Sequence, residues 1–192
     1  IEKVRDNLYM ITGGGGNTAA YVTGRGVVLV DTKDPGWGQA ILDKLKSVTD
    51  KPVTHIVNTH THGDHVGSNE FFAGSVEIVT QENTDLNMKK QPAFADPAKK
   101  HALADKTFKD RMTLLDGADA IDLLYFGPGH TDGDAVVIFR TPRVAHVGDL
   151  FPRKSTPLLD MNNGGSGVRI GETLARAALA LKDVDVDILD KT

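Results

Sequence analysis

Short apolar runs alternate with amphipathic stretches along the chain, and the period of the pattern shifts from one segment to the next. Residues 8–12, 18–23 and 26–30 are apolar segments punctuated by Gly13 to Gly16 and by Gly24-Arg25-Gly26, which predicts strands joined as a meander of hairpins. Over residues 36–48 the period lengthens. Ala40, Ile41, Leu45 and Val48 recur at helical spacing with Lys44 and Lys46 facing out, as in an amphipathic helix. The pattern then predicts a strand over 54–58, a short helix from His65 to about Phe72, a strand over 76–80 and a helix over 82–91. Strands are expected again at 111–115, 121–126, 135–140 and 143–147, a helix at 172–181 and a last strand at 184–189. Such mixing of elements predicts a layered α/β architecture rather than a bundle or a pure sandwich.

Residues 89–111 depart from this rhythm. Lys89, Lys90, Lys99, Lys100, Lys106, Lys109 and Arg111 outnumber Asp96, Asp105 and Asp110, with Phe94 and Phe108 too few to interleave with the charge, so the segment is expected to be a solvated helical excursion over the core. The strands 26–30 and 143–147 are each followed at once or nearly so by an aspartate, Asp31 and Asp149, a weak internal echo that hints at two similar halves.

At 192 residues, with 40% hydrophobic and 25% charged positions, the chain reads as one soluble domain over residues 1–192. A net charge of -4 gives no reason to expect a nucleic-acid partner, and no apolar run approaches the ~20 residues that span a bilayer. The absence of Cys removes disulfides and thiolate ligands together and leaves the compartment open. The start at Ile1 suggests a processed N-terminus.

The chemistry concentrates in Thr59-His60-Thr61-His62-Gly63-Asp64-His65, where an apolar strand stops and a helix begins. Alternation in an extended segment puts His60 and His62 on one side, so two imidazoles converge on one ion. Gly63 lets the chain turn, and Asp64 and His65 open the helix. A catalytic mononuclear site needs a third protein ligand, for which His130 in Gly127-Pro128-Gly129-His130-Thr131 is the candidate, and Asp149 after Gly148 could bridge two cations. His55, His101 and His146 are expected to be structural. Trp37, Phe94 and Phe108 could line a pocket, with packing the expected use. The Gly13 to Gly16 run lacks the Lys and Ser/Thr of a phosphate loop and is expected to be a mobile hairpin.

In the order His60-Thr-His62-Gly-Asp64-His65, His130, Asp149, the chain resembles the metallo-beta-lactamase superfamily of metal-dependent hydrolases over nearly its whole length. The resemblance implies an α+β fold, a four-layer αββα sandwich with the site at one edge. It implies one metal on His60, His62 and His130 and a second on Asp64 and His65, with Asp149 between them. Asp31 would orient the ligand loop. The implied cofactor is zinc, as two ions, with Mn or Fe as alternatives. The implied reaction is attack of a metal-bound hydroxide on an ester, thioester, lactone or cyclic amide, with Asp64 as the catalytic proton acceptor. Asp149 is similar to the bridging residue of glyoxalase II-like and lactonase-like members. Beta-lactam hydrolysis and iron-dependent persulfide oxidation are the alternatives, and the partner is a small molecule. One departure stands out. The family usually supplies a further histidine just after the final strand and no His follows His146 here, so either a C-terminal piece lies beyond Thr192, the favoured expectation, or the second site is short of a ligand.

Overall fold

The computed structural model describes residues 1–72 and 74–188, so residue 73 and positions 189–192, with the end of the last expected strand, lie outside the described residues. Among the described residues, twelve strands form two sheets. The first comprises β1 (Glu2–Arg5), β2 (Leu8–Ile11), β3 (Thr18–Val22), β4 (Val27–Val30), β5 (Val53–Asn58), β6 (Glu77–Gln81) and β7 (Lys106–Phe108), side by side in chain order. The second comprises β8 (Arg111–Leu114), β9 (Ile121–Tyr125), β10 (Ala135–Phe139), β11 (Val144–His146) and β12 (Val186–Ile188), also in chain order.

Period-two alternation decides which side chains enter which layer. In β4, Val28 and Val30 point between the sheets toward Leu123, Val137 and Phe139, whereas Val27 and Leu29 point outward. There they meet Ile41 and Leu45 of helix α1 (Gly38–Leu45). In β10, Val137 and Phe139 face the shared interior, and Val136 faces Ile170 and Leu174 of helix α5 (Ile170–Ala180). The layers therefore run α, β, β, α, as the resemblance implied.

The echo between the halves has a structural counterpart. Strands β4 and β5 pair in parallel and are connected through α1, and β11 and β12 pair in parallel and are connected through α5. Asp31 and Asp149 each follow the strand that begins such a unit, and ligand residues in open sheets gather beyond strand ends of this kind.

Two expectations change, and one strand appears that the pattern did not predict. The single helix expected from His65 to Phe72 is two one-turn helices, α2 (Gly63–Val66) and α3 (Asn69–Phe72). The break comes at Gly67-Ser68, where the Gly67 amide leaves the helical ladder partly for the Lys33 carbonyl, 2.9 Å away, and Ser68 Oγ donates to the Asp34 carbonyl at 2.6 Å. After helix α4 (Glu82–Lys90), the basic excursion is two 3-10 segments, Pro92–Phe94 and Pro97–Ala102, and then edge strand β7. Pro92 and Pro97 remove amide donors that an α-helix needs past its first turn. Strand β1 is too polar to show alternation, and its Arg5 reaches across to Asp185 at 2.7 Å.

Candidate metal centre

Strand β5 ends at Asn58, and the next residues run along the sheet edge into α2. Asp31, fully buried at the end of β4, fixes this passage. Its Oδ1 accepts the Thr59 amide at 2.8 Å, and its Oδ2 accepts the Thr59 hydroxyl and His65 Nδ1, each at 2.7 Å. Asp31 has φ +64°, in the left-handed region, so its carboxylate turns back under the ligand loop at a backbone cost.

His60, His62 and His130 meet around one point. Their ring centroids are 4.6–4.8 Å apart and the rings are nearly perpendicular in each pairing. His60 Nε2 lies 3.1 Å and His130 Nε2 3.0 Å from His62 Nδ1. The outer nitrogens are committed. His62 Nε2 faces Asp160 Oδ2 at 2.7 Å, His130 Nδ1 faces the Leu158 carbonyl at 2.6 Å, and His60 Nδ1 faces the Thr59 hydroxyl at 3.1 Å, whose proton goes to Asp31. Each outer nitrogen therefore carries the proton, and each inner nitrogen turns a lone pair to the common point. Three lone pairs at that spacing repel one another unless a cation stands between them. The spacing is close to the ~3.3 Å edge of a tetrahedron with metal–nitrogen bonds of ~2.0–2.1 Å. The donor set fits a divalent cation.

Asp149 completes this group, with the four ligand atoms within 4.8 Å of one another. Its Oδ2 lies 3.7 Å from His130 Nε2, and its Oδ1 lies 3.7 Å from His65 Nε2. Asp64 Oδ2 is 3.8 Å from the same His65 nitrogen. His65 donates from Nδ1 to Asp31, so Nε2 presents its lone pair to two carboxylates, an arrangement that again suits a cation. The six candidates thus form one continuous constellation, with the carboxylate of Asp149 between its halves.

Residues the sequence left unmarked hold it in place. Asp160 orients His62. Burial alone would raise its carboxyl, but the bonds from His62 and Asn163 hold it down to about 2. Asp134 accepts the Thr131 amide through both oxygens, at 3.0 and 2.9 Å, and so shapes the loop of His130; burial pushes its carboxyl up to about 7. His146 is structural, as expected, yet close to the site: Nε2 lies 3.0 Å from the Asn17 carbonyl, and Nδ1 accepts the Gly148 amide at 3.2 Å. It therefore anchors the residue before Asp149. His55 sits in β5 beside Glu77, and His101 is exposed. Phe108 belongs to the core between the sheets, Phe94 is partly buried in the 3-10 excursion, and Trp37 covers the glycine hairpin. That hairpin is tied down rather than free: the Gly16 amide donates to the Asp64 carbonyl at 3.0 Å and the Asp34 amide to the Gly14 carbonyl at 2.9 Å.

Comparison with known proteins bears on the family and the fold. The chain is similar to the metallo-beta-lactamase type 2 of Elizabethkingia meningoseptica, at 29% identity over 160 residues that cover 75% of this chain and 59% of that protein. It is also similar to the hydroxyacylglutathione hydrolase of Synechocystis sp., at 32% identity over 118 residues that cover 62% of this chain and 41% of that protein. The chain thus spans only 59% and 41% of the length of these two relatives. The solved structure of DIM-1 metallo-beta-lactamase shares the fold, with a TM-score of 0.82 and 20% identity over 100% of this chain and 89% of that one. The family model described as the metallo-beta-lactamase superfamily matches residues 11–189, and with the fold and the His-and-Asp constellation at the sheet edges, the chain belongs to that superfamily.

Proposed function

We propose that residues 1–192 form a single hydrolase domain that cleaves a small ester, thioester, lactone or cyclic amide at a two-zinc centre. The observation that carries this reading is the convergence of His60 Nε2 and His130 Nε2 on His62 Nδ1, at 3.1 and 3.0 Å, with every outer nitrogen committed as a donor. His60, His62 and His130 would hold one cation and Asp64 and His65 the other. Asp149, with one oxygen toward each group, would serve both. Cations so held lower the pKa of water from about 15.7 toward ~7 and polarise a substrate carbonyl.

The chain supplies the rest. Asp64 sits at the mouth with its side chain 28% exposed, placed to orient the attacking water and accept its proton. Asp31 and Asp160 hold His65 and His62 in the tautomers that leave the inner nitrogens unprotonated. Neither Ser68 nor Ser155 is set up as a nucleophile: Ser68 donates to the Asp34 carbonyl and accepts the Trp37 amide at 2.9 Å, and Ser155 lies exposed on a loop.

The position of Asp149 supports the glyoxalase II-like or lactonase-like part of the family, and the similarity to a hydroxyacylglutathione hydrolase favours a thioester. The similarity to a beta-lactamase makes a beta-lactam the second substrate to try. The deciding experiment is elemental analysis of protein purified without added metal, followed by ester, thioester, lactone and beta-lactam substrates on the same preparation. Zinc with turnover in one class is expected. Full metal occupancy with no hydrolysis of any class, or iron with oxygen uptake on a persulfide, would overturn the reading.

A further inference from the structure

Lys33 is the one lysine or arginine among the described residues that is fully buried. It lies two positions after Asp31 and shares its strain: φ is +66° at Lys33 and +64° at Asp31. A left-handed conformation is costly for a long side chain, and burying an ammonium adds a larger cost. The strain at Asp31 is explained by its bonds to Thr59 and His65.

The bonds of Lys33 show what it accomplishes. Its ammonium donates to the Gly16 carbonyl at 2.7 Å. The amide of that same Gly16 donates to the Asp64 carbonyl at 3.0 Å. One residue earlier, a Cβ on Gly15 would lie 2.7 Å from Asp64 Cβ, and Gly15 has φ +97°, so the hairpin lies against Asp64 as closely as a glycine backbone allows. On its other side the Lys33 carbonyl accepts the Gly67 amide at 2.9 Å, just past the helix that Asp64 opens. Lys33 therefore grips both the hairpin in front of Asp64 and the chain behind it.

We propose that Lys33 is a positioning residue for Asp64. Its charged hydrogen bond clamps the Gly13 to Gly16 hairpin onto Asp64 and holds that carboxylate where it receives the proton of the attacking water. The inference rests on the role given to Asp64 above. A charge-assisted bond to a carbonyl is stronger and better directed than a neutral one, which accounts for an ammonium at a buried position. Loss of the clamp leaves the hairpin and Asp64 free to shift, and small displacements of a catalytic group cost on the order of 10- to 100-fold in rate.

Lys33→Met tests this, because methionine keeps a similar length and removes the donor to the Gly16 carbonyl. Tm should fall modestly, because the Gly16 carbonyl loses its donor, and zinc content should be unchanged. The Gly16 amide should exchange with deuterium at least about tenfold faster in both apoprotein and zinc-loaded protein, and kcat should fall on the order of tenfold or more with little change in KM. The double variant with Asp64→Asn should be no slower than Asp64→Asn alone, since both changes remove the same contribution. Unchanged Gly16 exchange, or losses that add in the double variant, would overturn the clamp while leaving the hydrolase reading intact. If instead Asp64→Asn itself has full activity, the reading beneath the proposal has failed, and the exchange result still reports on the clamp. Should Lys33→Met not fold, Lys33→Gln, which keeps a shorter neutral donor, takes its place with the same readouts.

Discussion

His62 and Asp160 are 98 positions apart in sequence, yet His62 Nε2 lies 2.7 Å from Asp160 Oδ2. The carboxylate is itself held by the Asn162 amide at 3.0 Å and the Asn163 side chain at 2.6 Å, so it is a fixed acceptor rather than a mobile surface group. It sets the tautomer of a histidine whose Nδ1 is the centre of the three-nitrogen cluster. Asp160→Ala should therefore weaken metal binding by about 10- to 100-fold and lower activity at limiting zinc, as loss of such partners commonly does. Competition with a coloured chelator measures it. An affinity equal to that of the parent would mean that Asp160 only shapes its own loop.

Replacing His60, His62 or His130 with Ala should lower bound metal and activity together, because each removes one of three converging nitrogens. Metal content by mass spectrometry and turnover on the same samples give the answer. A His62→Ala protein with full metal content would sink the assignment.

Asp64→Asn should fold normally and lose on the order of 100-fold or more in kcat, since the amide keeps the shape but accepts no proton. Circular dichroism reports the fold and steady-state kinetics the loss. Activity within about threefold of the parent would remove Asp64 from proton transfer.

Zinc added to stripped protein of residues 1–192 should bind in one tight and one weak step. Three imidazoles face the first position, whereas among the described residues the second draws one imidazole, His65, beside the carboxylates of Asp64 and Asp149. Calorimetric titration distinguishes the steps, and two equally tight ions would show that a further residue completes the second position.

Arg143 and Arg5 hydrogen-bond to Asp185 and hold its carboxyl down at about 2, below its ordinary 3.8. A depressed folded-state value means the pair stabilises the fold above the unfolded carboxyl pKa and stops doing so as pH falls through about 2. Asp185→Asn should therefore be less stable than the parent at pH 5, with the difference closing between about pH 4 and 2. Urea midpoints across that range test the point, and a difference that persists at pH 2 would assign the effect to something other than charge.

Local pattern was enough to predict much of this molecule. Alternation places Val28 and Val30 on one face and Val27 and Leu29 on the other, whatever they later pack against, because side-chain direction in a strand is set residue by residue. The same local geometry makes His60 and His62 neighbours in space and leaves Asp64 and His65 at a helix start. Tertiary closure alone decided the rest. Whether Asp160 reaches His62, Lys33 reaches Gly16 or His146 reaches Asn17 depends on how loops from distant positions meet across the two sheets. A carboxylate or an ammonium carries no period that announces its partner. The basic stretch after α4 likewise departs from its charge pattern, because charge marks solvent exposure, while Pro92 and Pro97 and the open edge of β6 decide between helix and strand.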